Sequence, residues 1–364
     1  MSILQLPPVL SKASERDKVW EDHHAVKDLV QSAFMKASGN DQIRRGERMV
    51  NCAPFLIFKI LTDPDSRELV HKLRYAEFCR VRLCPTCMWR KSMAWRARFY
   101  QAWPRILSDH SKARYFHLVL TVPNCAIEDL RTTIDKINKA WYRMISRKTW
   151  PALGFIKSIE VTRDKWGNSH PHLHALMMVK PDYFSRNYMN RDDWRAYWLS
   201  AMRISLDSKC IHPFVRAVKG GPDEVSKAVL EVSKYAVKMK AMKNVLRHKP
   251  GREWFLELDR QLYGTRAVSL GGILAKYMKS DDVSEEEMRQ QDKILFGELL
   301  GDVQYHWQPE ERQYFRTKIL SEVETLWWNR QEDKLKDNLR AKIDSVKNTP
   351  LRAPNLTDNR LDVS

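Results

Sequence analysis

From residue 113 to about 240 the chain alternates apolar and mixed segments in a clear order. ARYFHLVLTV (113–122) is an apolar, β-prone run that stops at Pro123. Over 126–147, Leu130, Ile134, Ile137, Trp141 and Met144 recur at spacings of 4, 3, 4 and 3, the stripe of an amphipathic helix. GFIKSIEVTR (154–163) reads as a strand. Asp164 to Ser169 is a hairpin loop with Gly167-Asn168 as its turn signal, and residues 171–180 return as the second strand. A Trp- and Arg-rich helix covers 191–207, HPFVRAVK (212–219) is a short strand, and Pro222 opens the helix that carries Tyr235. The order β-α-β-β-α-β-α predicts an α+β fold built on a ferredoxin-like split βαβ antiparallel sheet. The first and third strands then lie side by side, which makes 171–180 a central strand.

The flanks carry less pattern. Residues 14–37 read as a charged helix opened by Ser14, and the chain after about 280 reads as helical and polar, with no aromatic residue from Asn329 onward. The predicted organisation is an N-terminal helical segment (1–50), a cysteine-bearing basic region (51–110), a catalytic domain (111–280), a helical extension (281–344) and a disordered polar tail (345–364). The 63 Lys and Arg against 45 Asp and Glu give a net charge of +18 over 364 residues, which points to nucleic acid as the partner. No apolar run approaches the roughly 18 residues of a membrane span. The first twenty residues lack the basic start and apolar core of a secretory signal, so the expected location is the cytoplasm.

Chemistry concentrates in three places. His170-Pro-His172-Leu-His174 holds three of the eleven histidines, and strand alternation aims His172 and His174 off one face. If Gly167 centres the hairpin, Glu160 lies opposite His174 and completes a His-His-carboxylate site; a one-residue slip would present Ile159 instead. Such a site with open positions suits Mg²⁺ or Mn²⁺, and Zn²⁺ would also fit. In EVSKYAVKMK (231–240), helical spacing sets Glu231, Tyr235 and Lys238 on one face. Lys234, Lys238 and Lys240 would stabilise a Tyr235 phenolate, and Glu231 could act as base for a water. Together these suggest phosphoryl transfer on DNA. Cys79, Cys84 and Cys87, with Cys52 upstream, make a four-thiolate set for a structural Zn²⁺. Arg80, Arg82, Arg90, Lys91, Arg96 and Arg98, interleaved with Trp89 and Trp95, suit phosphates and unstacked bases.

These blocks resemble plasmid rolling-circle replication initiators of the HUH endonuclease class, in the group that pairs one tyrosine with a glutamate. FHLVLTVPN (116–124), HPHLHALMMV (170–179) and EVSKYAVKMK (231–240) are similar to that family's three motifs, in its order. FCRVRLCPTCMWRKS (78–92) and YGTRAVSLGGIL (263–274) also resemble family blocks, and Ala53 stands where a glycine is expected after Cys52. The resemblance implies a strand-specific nickase. Tyr235 would form a 5′-phosphotyrosine, the released 3′-hydroxyl would prime a host polymerase, and Glu231 would serve at termination. Origin DNA, a host helicase, a DNA polymerase and a single-strand binding protein are the implied partners. A transposase of the same chemistry is an alternative, and a zinc-stabilised, non-catalytic DNA-binding regulator is a second of a different class.

Overall fold

The structure is a computed structural model that describes residues 3–63, 67–205, 211–233, 239–278 and 298–347. In chain order the N-terminal part holds α1 (Leu10–Ala13), α2 (Lys18–Met35), α3 (Asn40–Val50), β1 (Phe55–Thr62), β2 (Leu69–Ala76) and α4 (Pro85–Asp109). The middle follows with β3 (Arg114–Thr121), α5 (Leu130–Ile145), β4 (Ala152–Arg163), β5 (Ser169–Val179), α6 (Tyr183–Arg186), α7 (Arg191–Met202), β6 (Phe214–Val218) and α8 (Pro222–Ser233). Then come α9 (Met239–Leu246), α10 (Lys249–Leu262), β7 (Val268–Gly271), α11 (Gly272–Tyr277), β8 (Leu299–Gln308) and β9 (Gln313–Ile319). These elements belong to one compact unit ending near Lys318. A second unit holds the helix α12 (Glu322–Lys347). Among the described residues, no helix is long and apolar enough to cross a membrane.

The α+β class holds. The main sheet runs β6-β3-β5-β4-β7, and its named strand pairs are antiparallel. As the strand order predicts, β3 and β5 pair and the histidine strand is central. The helical stripe of α5 is buried as expected, with Leu130, Ile134, Ile137, Trp141 and Met144 all inside. Most of that stripe, together with Trp194 and Trp198 of α7, covers the back of the sheet against Leu118, Leu120, Leu173, Ala175 and Met177. Asn190 caps α7 through a reciprocal capping box with Asp193. The front carries the alternate positions. There Ile156, Leu176 and Met178 pack beneath Val225, Val229 and Val232 of α8 and Phe99, Ala102 and Ile106 of α4. Among the described residues, α4 and α8 thus pack on the lower part of the front, where the strand side chains are aliphatic.

A second sheet, β2-β1-β8-β9, corrects the expected organisation. Residues 299–319 form a β-hairpin rather than part of a helical extension, and 55–76 form another within the expected cysteine region. The alternation that makes β8 a strand is present, with Val303 and Tyr305 buried and Gln304 and His306 half-buried. Its partner β1 lies over two hundred residues upstream, so no local signal joins them. The predicted tail falls largely on 348–364, outside the described residues. Arg74 and Asp302 pair within this sheet with both side chains fully buried.

Tyr314 of β9 ties the second sheet to the cysteine loop. Its fully buried hydroxyl donates to the Ala53 carbonyl at 2.6 Å and lies 2.6 Å from His24 Nδ1. The His24 ring stacks on Trp307 at 4.1 Å. Tyr314→Phe strands two buried polar partners and should destabilise the protein by about 2 kcal/mol. Urea unfolding would read this as a lower midpoint at unchanged slope, and an unchanged midpoint would remove Tyr314 from the fold's supports.

Candidate active site and cysteine cluster

The upper front of the main sheet is polar. β5 pairs His172 with Thr121 of β3 and with Glu160 of β4, and His174 with Val119 and Ser158. The expected partner of Glu160 was His174, two residues further along. The loop closes through Asp164 N–H to Asn168 O at 2.9 Å, which centres the hairpin on Trp166 instead of Gly167. Gly167 takes a positive φ of 99° within the loop. A two-residue offset preserves parity, so Glu160 still shares the histidine face.

Glu160 Oε2 lies 3.2 Å from His174 Nε2. That nitrogen is buried and makes no aligned hydrogen bond. Two ligands adjacent in an octahedral shell at about 2.1 Å from a cation sit about 3 Å apart, so this pair has the spacing of cis ligands. His172 stands further off, its ring centroid 6.2 Å from that of His174. Among the described residues, the His172, His174 and Glu160 trio is not as tightly gathered as the four cysteines. The donor set, two imidazoles and a carboxylate, suits Mg²⁺ or Mn²⁺ and would equally accept Zn²⁺.

Sequence reasoning missed His117. It lies on β3, two positions before Val119, and therefore on the same face. Its Nε2 is 3.4 Å from His174 Nδ1, and the two rings stack at 5.4 Å. Burial, then the adjacent His174, pull its pKa down to about 4 against the opposing influence of Glu231. The ring is thus neutral near pH 7 and can hold one tautomer of His174. The missed signal was parity: His117 and His174 share a face once β3 and β5 are neighbours. Glu231, in the last turn of α8, comes near enough to act on His117 electrostatically. The end of α8 is pinned there, because Ser158 Oγ donates to the Val232 carbonyl. Tyr235 and Lys238, with Lys234, lie outside the described residues.

The four cysteines converge as expected. Cys52 Sγ is 3.6 Å from both Cys84 Sγ and Cys87 Sγ, and Cys79 Sγ is 3.5 Å from Cys87 Sγ. A disulfide needs about 2.05 Å, whereas four thiolates at about 2.3 Å from a tetrahedral Zn²⁺ stand about 3.8 Å apart. The spacing therefore fits a shared zinc. The Arg80 amide donates to Cys87 Sγ at 3.2 Å and the Val81 amide to Cys79 Sγ at 3.5 Å. Ala53 and Arg80, each following a cysteine, have positive φ of 52° and 55°. This explains the expected glycine at 53: the loop needs a left-handed residue there, and alanine adopts it at some cost.

The basic segment divides. Arg90 is a correction, because its guanidinium is buried over Trp20, Phe78 and Trp89 at 5.4, 5.8 and 5.5 Å. Trp89 is likewise held against Trp20 and His23. Arg82 is half-buried and donates to the Thr265 carbonyl. Arg80 and Lys91 are exposed, and Arg96 and Arg98 half-exposed, with Arg98 5.1 Å over the Trp95 ring. Partial desolvation, then Arg82 and Arg98, lower the Lys91 ammonium, so these cations form one cluster.

Comparison with known proteins adds to this geometry. Residues 70–315 match the sequence model of a family described as replication protein. A "Protein rep" of Lentilactobacillus hilgardii is 30% identical over 284 residues, covering 75% of this chain and 88% of that protein. One from Bacillus amyloliquefaciens is 29% identical over 304 residues, covering 74% and 84%, and one from Streptococcus pneumoniae is 29% identical over 251, covering 66% and 73%. No solved structure matches the chain.

The two candidate metal centres can be separated by experiment. Cys84→Ser should release a tightly bound zinc and lower the melting temperature, since structural zinc contributes folding free energy. His172→Ala should leave both zinc content and melting almost unchanged. Metal analysis of the purified variants decides this. Undiminished zinc in soluble Cys84→Ser protein would contradict the assignment.

Proposed function

The chain belongs to the replication-protein family, and from that premise we propose that it initiates plasmid replication by nicking one strand of its origin DNA through a covalent phosphotyrosine. The observation that carries this reading is the His172, His174 and Glu160 face beneath the anchored end of α8. Tyr235 follows Ser233, the last residue of α8, by two positions in the sequence. That proximity along the chain supports Tyr235 as the nucleophile, with Lys234, Lys238 and Lys240 stabilising its phenolate.

His172, His174 and Glu160 would hold Mg²⁺ or Mn²⁺, and a cation there supplies Lewis-acid polarisation of the scissile phosphate. His117 fixes the tautomer and orientation of His174. The Tyr235 oxygen attacks phosphorus in line, and the bond from phosphorus to the 3′ oxygen breaks. The leaving oxygen gains a proton and becomes a free 3′-hydroxyl, while the 5′ phosphate stays on Tyr235. No nucleotide cofactor is consumed, because the phosphotyrosine keeps the energy of the phosphodiester for rejoining. Glu231 later takes a proton from a water, or from a returning 3′-hydroxyl, so that the round ends without a second tyrosine.

Cys52, Cys79, Cys84 and Cys87 hold a structural Zn²⁺ at the start of α4 in this account. Arg80, Lys91, Arg96 and Arg98 remain as contacts to DNA phosphates, supported by the exposure of Arg80 and Lys91, the partial exposure of Arg96 and Arg98, and the charge of +18. The protein would act in the cytoplasm with a host helicase, a DNA polymerase and a single-strand binding protein.

Tyr235→Phe removes only the phenolic oxygen. DNA binding should survive, while nicking of a supercoiled plasmid carrying the cognate origin, and covalent attachment to it, should vanish. A detergent-resistant adduct formed by the Phe variant would reject Tyr235, and origin-specific binding with no nicking by the wild type in Mn²⁺ would favour a non-catalytic regulator. Glu231→Gln should nick normally and accumulate products longer than unit length. Equal loss of nicking and termination would give Glu231 a general role in the chemistry instead.

A further inference from the structure

Trp166 sits at the tip of the β4–β5 hairpin, next to the end of β5 that carries His170, His172 and His174. With 75% of its surface open, it is the most exposed Trp, Tyr or Phe side chain among the described residues. Isolated exposed hydrophobic residues are ordinary. The setting of this one is not, because its backbone is locked. Asp164 Oδ1 accepts from the Trp166 amide at 2.9 Å and from the Asn168 amide at 2.8 Å. Asp164 Oδ2 accepts from Asn124 Nδ2 at 2.8 Å and from Asn168 Nδ2 at 3.1 Å. Asn124 lies just beyond the end of β3, and the neighbouring Cys125 forms a two-way bridge with Ser169. The loop that presents Trp166 is thereby fixed to both central strands.

The surroundings are cationic. Lys165 Nζ lies 4.3 Å from the centre of the Trp166 ring, and the Arg163 guanidinium reaches back along the loop toward Gly167. An exposed flat ring with Lys165 over it and Arg163 in the same turn, on a rigid support at the edge of the histidine face, matches an unpaired nucleotide. The base can stack on the ring while the phosphate meets Lys165 or Arg163.

We propose that Trp166 is a stacking platform for an unpaired base of single-stranded DNA, a few nucleotides from the strand position held at the histidine face. The inference deepens the nicking reading and rests on it for the identity of the ligand. Asn124 and Asp164 are then positioning residues that hold the platform still. They also give the turn after the first motif a task that composition alone does not reveal.

The test uses the full-length protein and a short oligothymidylate with a single 2-aminopurine placed at successive positions. Stacking on Trp166 should quench the fluorescence at one position and spare the others. Trp166→Ala should restore that fluorescence and weaken affinity about tenfold, whereas Trp166→Phe should keep most of both. Zinc content and melting temperature should match the wild type in each variant, because the ring packs against little. Unchanged affinity and unchanged quenching in Trp166→Ala would overturn the proposal. Repeating the titration with Tyr235→Phe protein separates the two readings. Position-specific, Trp166-dependent quenching there upholds the platform even if covalent attachment is never observed, and its absence overturns the platform even if nicking is real.

Discussion

In the β4–β5 hairpin, Glu160 pairs with His172 and Ser158 with His174, and the parity of that pairing decides what the upper sheet can do. Side chains alternate strictly along a strand. One parity therefore places Glu160, His117, His172 and His174 on the front and sends Leu173, Ala175 and Met177 into the back core. The other parity would bury the imidazoles and expose the leucine. Apolar demand on the back face is what enforces the useful choice. The same pairing sets Ser158 where its hydroxyl donates to the Val232 carbonyl at the end of α8, and so brings Glu231 close to His117.

The rest of the molecule restrains that arrangement from a distance. α4 starts at the cysteine cluster and runs onto α8, sharing a core with it and with the front of β4 and β5. The loop at Cys52 is in turn held by Tyr314, which arrives from near the far end of the chain. A zinc at the cysteines would fix one end of a long helix whose other half covers the sheet. The cysteine cluster and the histidine face are thus joined through the packing of α4.

The local part of this design was legible in the sequence. The order of elements from 113 to 233, the buried stripe of α5, the central histidine strand and the four converging cysteines all follow from periodicity and spacing. The placement of Glu160 on the histidine face survives a hairpin centred on Trp166, because an error of two residues conserves parity where an error of one would not. What stayed hidden depends on long-range contact. His117 gains meaning only when β3 lies beside β5. The second sheet joins β1 to a strand more than two hundred residues away. Arg90 reads as a surface cation until Trp20, Phe78 and Trp89 close around it.

The central claim is that His172, His174 and Glu160 form a cation site distinct from the cysteine cluster. Electron paramagnetic resonance titration of zinc-loaded protein with Mn²⁺ tests it directly. The wild type should bind a single Mn²⁺, and Glu160→Ala should weaken that binding by about tenfold or more while zinc stays in place. Mn²⁺ affinity that is indifferent to Glu160→Ala, in a folded protein retaining its zinc, would contradict the account.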